Sequence, residues 1–184
     1  MRIELTLNGV PAAWEVAPGE RLLDALRDCG CVSVKRGCET GDCGCCAVLL
    51  DGEPVSSCVV AAARAQGRVV TTLEGLAGDP LLARLQAAFL AAGAVQCGYC
   101  APGMLIVAWA LLRGGGPLDE SAVRQALSGS LCRCTGYEKP VSAILAAAGR
   151  PGTPLRGGRG ERGGTGRGGG TGSASPAARR EEKP

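Results

Sequence analysis

Eight of the eleven cysteines in this 184-residue chain fall into two sets of four. Cys38, Cys43, Cys46 and Cys58 form a C-x4-C-x2-C run with a fourth cysteine further on. Cys97, Cys100, Cys132 and Cys134 form a C-x2-C followed far downstream by a C-x-C. Thiolates hold iron–sulfur clusters, and the first spacing is one that 2Fe–2S clusters use. Two such sets in one short chain point to two redox centres in series. Centres of that kind move electrons one at a time and do not themselves transform a substrate. The chain has no histidine. That excludes a Rieske-type centre, which needs two histidines on one iron, and every Cys/His nucleophilic pair. A bond-breaking site is therefore expected on another chain.

An all-cysteine cluster is anionic and becomes more so on reduction, so its surroundings must supply donors and positive potential without supplying protons. Glycine-rich loops let backbone N–H groups approach sulfur closely. Gly37, Gly41 and Gly44 flank the first set, and Gly98 and Gly103 the second. Lys35, Arg36 and Arg133 lie beside candidate ligands. A closed tetrahedral zinc site is the alternative for the second set. The first set has poor zinc-ribbon spacing. Cys29 and Cys31 read as small apolar residues. Cys45 adjoins Cys46; Cys46 is preferred as ligand because Cys45 would change the run to C-x4-C-x-C, with ligand exchange at Cys45 a lesser alternative.

The elements that position these residues differ between the two halves. Residues 1–75 read as mixed strand and helix. Ile3, Leu5 and Leu7 alternate with polar residues, Asn8-Gly9 marks a hairpin, and Trp14 and Val16 continue the return strand. Leu22, Leu23, Ala25 and Leu26 suit one face of a short helix. After the cysteine loop, Ala47–Leu50 and Val55–Val60 flank a second hairpin at Asp51-Gly52, and Val69–Thr72 supplies a last strand. That order matches a ferredoxin-like β-grasp. Gly75–Pro80 reads as a linker. Residues 80–149 read as four helices: one around Leu81–Ala92, one after Pro102, one over Glu120–Leu127 capped by Asp119, and one opened by Pro140. Cys97 and Cys100 precede the second of these helices, and Cys132 and Cys134 lie between the third and fourth. The expected fold class is α+β: a ferredoxin-like β-grasp domain, then an all-α four-helix 2Fe–2S-binding domain, then a disordered tail.

Composition supports that division. Residues 151–184 hold 11 Gly and a single large apolar residue, Leu155. Such a segment cannot bury enough apolar surface to offset its ordering entropy and is expected to be disordered. Residues 1–150 carry 13 Lys and Arg against 14 Asp and Glu; the tail carries 7 against 3. The folded part is thus no basic nucleic-acid binder. The tail has RGG-like pieces at Arg156–Gly158 and Arg162–Gly164 but no aromatic residue to stack on bases, so a solvated extension is preferred. The odd cysteine count, the ligand spacing and the lack of an export signal in Met1–Leu5 argue against a secreted disulfide scaffold. No apolar run approaches the roughly 18 residues of a membrane span. A reducing, cytoplasmic setting is expected.

Three motifs, Gly37-Cys38-Glu39-Thr40-Gly41-Asp42-Cys43-Gly44-Cys45-Cys46-Ala47-Val48, Gln96-Cys97-Gly98-Tyr99-Cys100-Ala101-Pro102-Gly103-Met104 and Leu131-Cys132-Arg133-Cys134-Thr135-Gly136-Tyr137, together resemble the iron–sulfur subunit of the molybdenum hydroxylases. These are the xanthine dehydrogenase, aldehyde oxidase and carbon monoxide dehydrogenase relatives. The resemblance covers about residues 1–149. It implies an electron-transfer role between a large subunit holding molybdopterin and a medium subunit holding FAD. It also implies that Cys97, Cys100, Cys132 and Cys134 form the set nearer the pterin and that Cys38, Cys43, Cys46 and Cys58 form the set nearer the flavin. Gln96 and Cys134 match positions that approach the pterin. Cys45 stands where the family usually has alanine, Ala47 and Ala101 where threonine is common, and Ser130 where asparagine is usual; none removes a ligand. The Val32–Glu39 stretch leans toward the purine-oxidising branch. Aldehyde, carbon monoxide or N-heteroaromatic dehydrogenases of the same family, and a free-standing ferredoxin-like carrier, are the alternatives.

Overall fold

The computed structural model describes residues 1–150; the expected disordered tail, 151–184, lies outside the described residues. Five strands and five α-helices run in order: β1 (Arg2–Leu7), β2 (Val10–Glu15), α1 (Leu22–Asp28), β3 (Ala47–Leu50), β4 (Glu53–Ser56), β5 (Val69–Thr71), α2 (Pro80–Ala91), α3 (Ala101–Arg113), α4 (Glu120–Ala126) and α5 (Glu138–Ala147). The strands form one mixed sheet in the order β2-β1-β5-β3-β4. Only the β1–β5 pair is parallel. The mixed α+β arrangement is consistent with a ferredoxin-like fold.

Both hairpins follow from their turn residues. Asn8 and Gly9 have φ of 52° and 82°, and Asp51 and Gly52 have 52° and 89°. Two successive positive φ values give the twist that joins antiparallel strands in two residues. Alternation in β1 buries Ile3 and Leu5 and leaves Arg2 and Glu4 exposed. Those two apolar residues pack with Val48, Leu50 and Val70 against Leu22, Leu23 and Leu26 of α1.

Strand β3 breaks this alternation. All four of its residues are buried, as expected for a strand covered on both faces. Val48 and Leu50 join the α1 core, whereas Ala47 and Leu49 join a second core built on Leu85, Phe89, Met104, Ile106, Val123, Leu127 and Ile144. The sheet and the helices therefore share a strand.

The element ends differ from the sequence expectation in three places. Strand β4 stops at Ser56 because Ser57–Val59 turns into a 3-10 helix, which removes Cys58 from the strand. The 75–80 segment is not simply a linker: Glu74–Leu76 is a 3-10 turn, and Asp79 caps α2 with Pro80 in its first turn. Helix α5 begins at Glu138, two residues before Pro140; a proline in the first turn lacks only an N–H that has no helical partner there. Among the described residues no helix is long and apolar enough to cross a membrane.

Candidate metal centres

The first cysteine set lies in the loop between α1 and β3, with Cys58 brought back to it by the 3-10 turn after β4. The Cys38 N–H points at the Cys43 sulfur and the Cys43 N–H at the Cys38 sulfur, each at 3.4 Å. Cys46 and Cys58 are both buried and their thiols are close enough to interact. The loop is tied to α1 by a ring of ion pairs. Arg21 bridges Asp24 and Glu39, and Arg36 bridges the same two carboxylates. These groups are part-exposed, so the ring contributes little stability. Its effect is to hold Glu39, whose φ is 61°, beside Cys38.

The second set joins two helix ends. Cys97 and Cys100 precede α3, and Cys132 and Cys134 precede α5. The sulfurs again fall into pairs: Cys134 with Cys97 at 3.7 Å, and Cys100 with Cys132. Cys97 and Cys134 are exposed, while Cys100 and Cys132 are part-buried. Gln96 donates from Nε2 to the Cys134 carbonyl at 3.1 Å, so these two sequence-predicted residues meet at the surface.

Several contacts around the second set were not visible in the sequence. Thr135 donates its hydroxyl to the Cys132 sulfur at 3.1 Å. The Cys132 N–H donates to the Tyr137 hydroxyl oxygen at 2.8 Å. Tyr137 reaches back because its own backbone is left-handed, with φ of 68°. Nothing in the sequence marked Tyr137: the helix after it was expected to open at Pro140, and its residue type does not announce a left-handed backbone.

The thiols are electrically unequal. Hydrogen bonds from the Thr40 side chain, then from the Thr40 and Cys43 N–H groups, lower Cys38 to about 6. Burial, then the neighbouring Cys43 thiol, pushes Cys45 up to about 12. Burial, then Cys46, pushes Cys58 to about 11, and burial, then Cys132, pushes Cys100 to about 12. Burial opposes ionisation of Cys132, yet the Thr135 hydroxyl and two N–H groups hold it below its ordinary value. Crowded thiols cannot all ionise in a part-buried site without cations between them.

The two sets touch through backbone. Leu131, next to Cys132, donates its N–H to the Cys43 carbonyl at 2.9 Å. Tyr99, between Cys97 and Cys100, donates its hydroxyl to the Arg36 carbonyl. A Cβ on Gly103 would stand 2.3 Å from the Gly44 carbonyl oxygen, and one on Gly44 2.3 Å from that of Gly129. Only residues without side chains allow this approach.

Among the described residues no three His, Cys, Asp or Glu side chains converge on a single-ion site. The cysteines instead meet in twos, Cys38 and Cys43 through N–H···S contacts and Cys46 with Cys58, Cys97 with Cys134 and Cys100 with Cys132 through their thiols, while Cys45 Sγ also lies 3.3 Å from Cys43 Sγ. Soft thiolates in pairs suit a two-iron unit, and four cysteines hold a 2Fe–2S cluster. The residues present therefore fit such a group at both places.

Comparison with known proteins agrees. Residues 5–77 match the 2Fe-2S iron-sulfur cluster binding domain family, and residues 72–145 match the [2Fe-2S] binding domain family. The nicotinate dehydrogenase small FeS subunit of Eubacterium barkeri is 49% identical, over 80% of this chain and 95% of that protein. The xanthine dehydrogenase iron-sulfur-binding subunit of Escherichia coli O157:H7 is 44% identical, over 78% of this chain and 91% of that protein. Among solved structures, quinoline 2-oxidoreductase from Pseudomonas putida 86 superposes with a TM-score of 0.73 at 43% identity, over 81% of this chain and 94% of the matched one. Aldehyde oxidoreductase from Desulfovibrio gigas gives 0.74 at 36% identity, over 80% of this chain but only 17% of a much longer polypeptide.

Proposed function

The chain belongs to the iron–sulfur subunits of the molybdenum hydroxylase family, and from that premise we propose which residues carry its electron-transfer role and for which complex. The chain is an electron-transfer 2Fe–2S subunit of an oxidoreductase complex. Cys38, Cys43, Cys46 and Cys58 would hold one cluster. Cys97, Cys100, Cys132 and Cys134 would hold the second. When bound, each cluster accepts and releases one electron without a proton. The polypeptide fixes the thiolates, supplies N–H and hydroxyl donors to their sulfurs, and keeps the inner ligands dry.

The observation that carries this reading is the backbone contact between two paired cysteine sets, one part-buried and one opening to the surface at Cys97 and Cys134. A free-standing ferredoxin needs one such set. A relay between two partners needs an entry, an exit and a fixed gap between them. The exposed Cys134 and Gln96 face a molybdopterin-bearing large subunit, and the Cys38 side faces an FAD-bearing medium subunit. The proposed compartment is the cytoplasm.

For the substrate of the whole complex we propose an N-heteroaromatic ring of the xanthine type. The relatives named for nicotinate, xanthine, nicotine and caffeine are 40–49% identical. The aldehyde oxidoreductase subunit of Escherichia coli is 35% identical. The test is anaerobic purification of the chain with its partner subunits, assay of iron and acid-labile sulfide, EPR on stepwise reduction, and turnover of xanthine against nicotinate and an aldehyde. Two irons and two sulfides per cysteine set, with two distinct signals, are expected. Stoichiometric zinc without sulfide would reject the ligand assignment; turnover of the aldehyde alone would reject the substrate class.

A further inference from the structure

We propose that Cys45 is a hydrogen-bond donor to the first centre, raising its reduction potential by directing an S–H at the Cys43 sulfur. The inference rests on the reading above that Cys43 is a ligand.

The Cys45 sulfur lies 3.3 Å from that of Cys43. It is 5% exposed, so no bulk water competes for its proton. Its placement is fixed from two sides. The Lys35 N–H donates to the Cys45 carbonyl at 3.2 Å, and the Cys45 sulfur stands 3.4 Å from the Lys35 carbonyl oxygen. Gly37 roofs both sulfurs: a Cβ there would come within 2.6 Å of Cys45 Sγ and 2.7 Å of Cys43 Sγ.

The thiol therefore has two acceptors in reach, a neutral carbonyl and a ligand sulfur. With Cys43 bound to iron the sulfur is a thiolate, and hydrogen bonds to charged acceptors are roughly twice as strong as neutral ones. The S–H turns to Cys43. Its positive end then faces a centre whose negative charge increases on reduction, so it favours the reduced form. Hydrogen bonds to sulfur are one of the determinants of cluster potential. Cys45 is thus a positioning residue for charge, distinct from the ligand at Cys46.

The test is an EPR-monitored redox titration of the fully loaded wild-type chain, Cys45→Ala and Cys45→Ser, with iron and sulfide measured first. The first centre's signal is identified as the one lost in Cys58→Ala. Both Cys45 variants are expected to keep full iron and both signals. The midpoint of the first centre falls in Cys45→Ala and falls less in Cys45→Ser, whose hydroxyl still donates. The second centre stays put and serves as internal reference. Equal midpoints in all three proteins, or a shift shared by both centres, overturns the inference. Loss of the first signal with half the iron in Cys45→Ala also overturns it and makes Cys45 a ligand. Failure of the underlying ligand reading shows separately, as a first signal that survives in Cys43→Ala.

Discussion

Within the first ligand loop, Cys38 and Cys45 differ most before iron arrives. In the metal-free chain Cys38, lowered to about 6 by donors, is mostly thiolate at neutral pH. Cys45, raised to about 12 by burial, is not. Thiolate is the reactive form, so iodoacetamide should label Cys38 well ahead of Cys45. The Cys38 rate should climb through about pH 6 and level off above it, as read by mass spectrometry of the metal-free chain. In the loaded protein the choice between neighbours is tested directly. Cys46→Ala should lose the first EPR signal and Cys45→Ala should keep it; the reverse would exchange their roles. Eight ligand candidates were legible because their spacing is covalent information that folding does not alter. Tyr99, Leu131 and Tyr137 were not. Each acts through a backbone atom or a hydroxyl whose partner is chosen by tertiary contact, and Tyr137 also needs a left-handed φ that its residue type does not announce.

At the level of elements, strands and helices were readable from their periods, but several ends were not. The segment read as a linker holds the best-connected helix cap among the described residues. The Asp79 carboxylate accepts from the Leu81 and Leu82 N–H groups at 2.8 and 3.0 Å and from Trp109 Nε1 at 3.1 Å. It thereby joins the start of α2 to the middle of α3. The Leu82 N–H, followed by Trp109, holds its carboxyl below the usual range despite the cost of burial. A carboxyl lowered in the folded state gives its full contribution above its unfolded value of about 4 and loses it only as pH falls further. Asp79→Ala should therefore cost about 1–2 kcal/mol at neutral pH, the loss of a cap plus an unpaired indole N–H. The check is the urea midpoint of the loaded chain, with Asp119→Ala, which removes a single cap bond to Ala122, costing less. Helix starts were hard to read because N-caps depend on side-chain contacts from outside the helix. Strand β4 ended early because Ser57 turns to bond the Cys46 carbonyl through its N–H and its hydroxyl.

Across the described residues, the succession of strands and then helices was legible from period. The strand shared by the sheet and the helices was not. The unbroken apolar run Ala47-Val48-Leu49-Leu50 did carry the signal of a strand buried on both faces, but nothing local says what covers the second face. The consequence is that residues 1–77 expressed alone should expose Ala47 and Leu49 and bind a hydrophobic dye. The full chain should not, and co-expression with the remaining residues should suppress the signal. Gly103→Ala drives a methyl toward the Gly44 carbonyl and should lower stability by about 1–3 kcal/mol, as overpacking does. Gly116→Ala, facing open space, should leave the unfolding midpoint nearly unchanged. Where the two ligand loops meet at Gly44, Gly103 and Gly129, main chain rests on main chain. Side chains can be trimmed or enlarged by single substitutions, but the thickness of a peptide backbone cannot. Electron tunnelling weakens steeply with every added ångström. A gap spaced by backbone is thus set by the peptide itself: no trimming of a single side chain would change the length of the proposed hop.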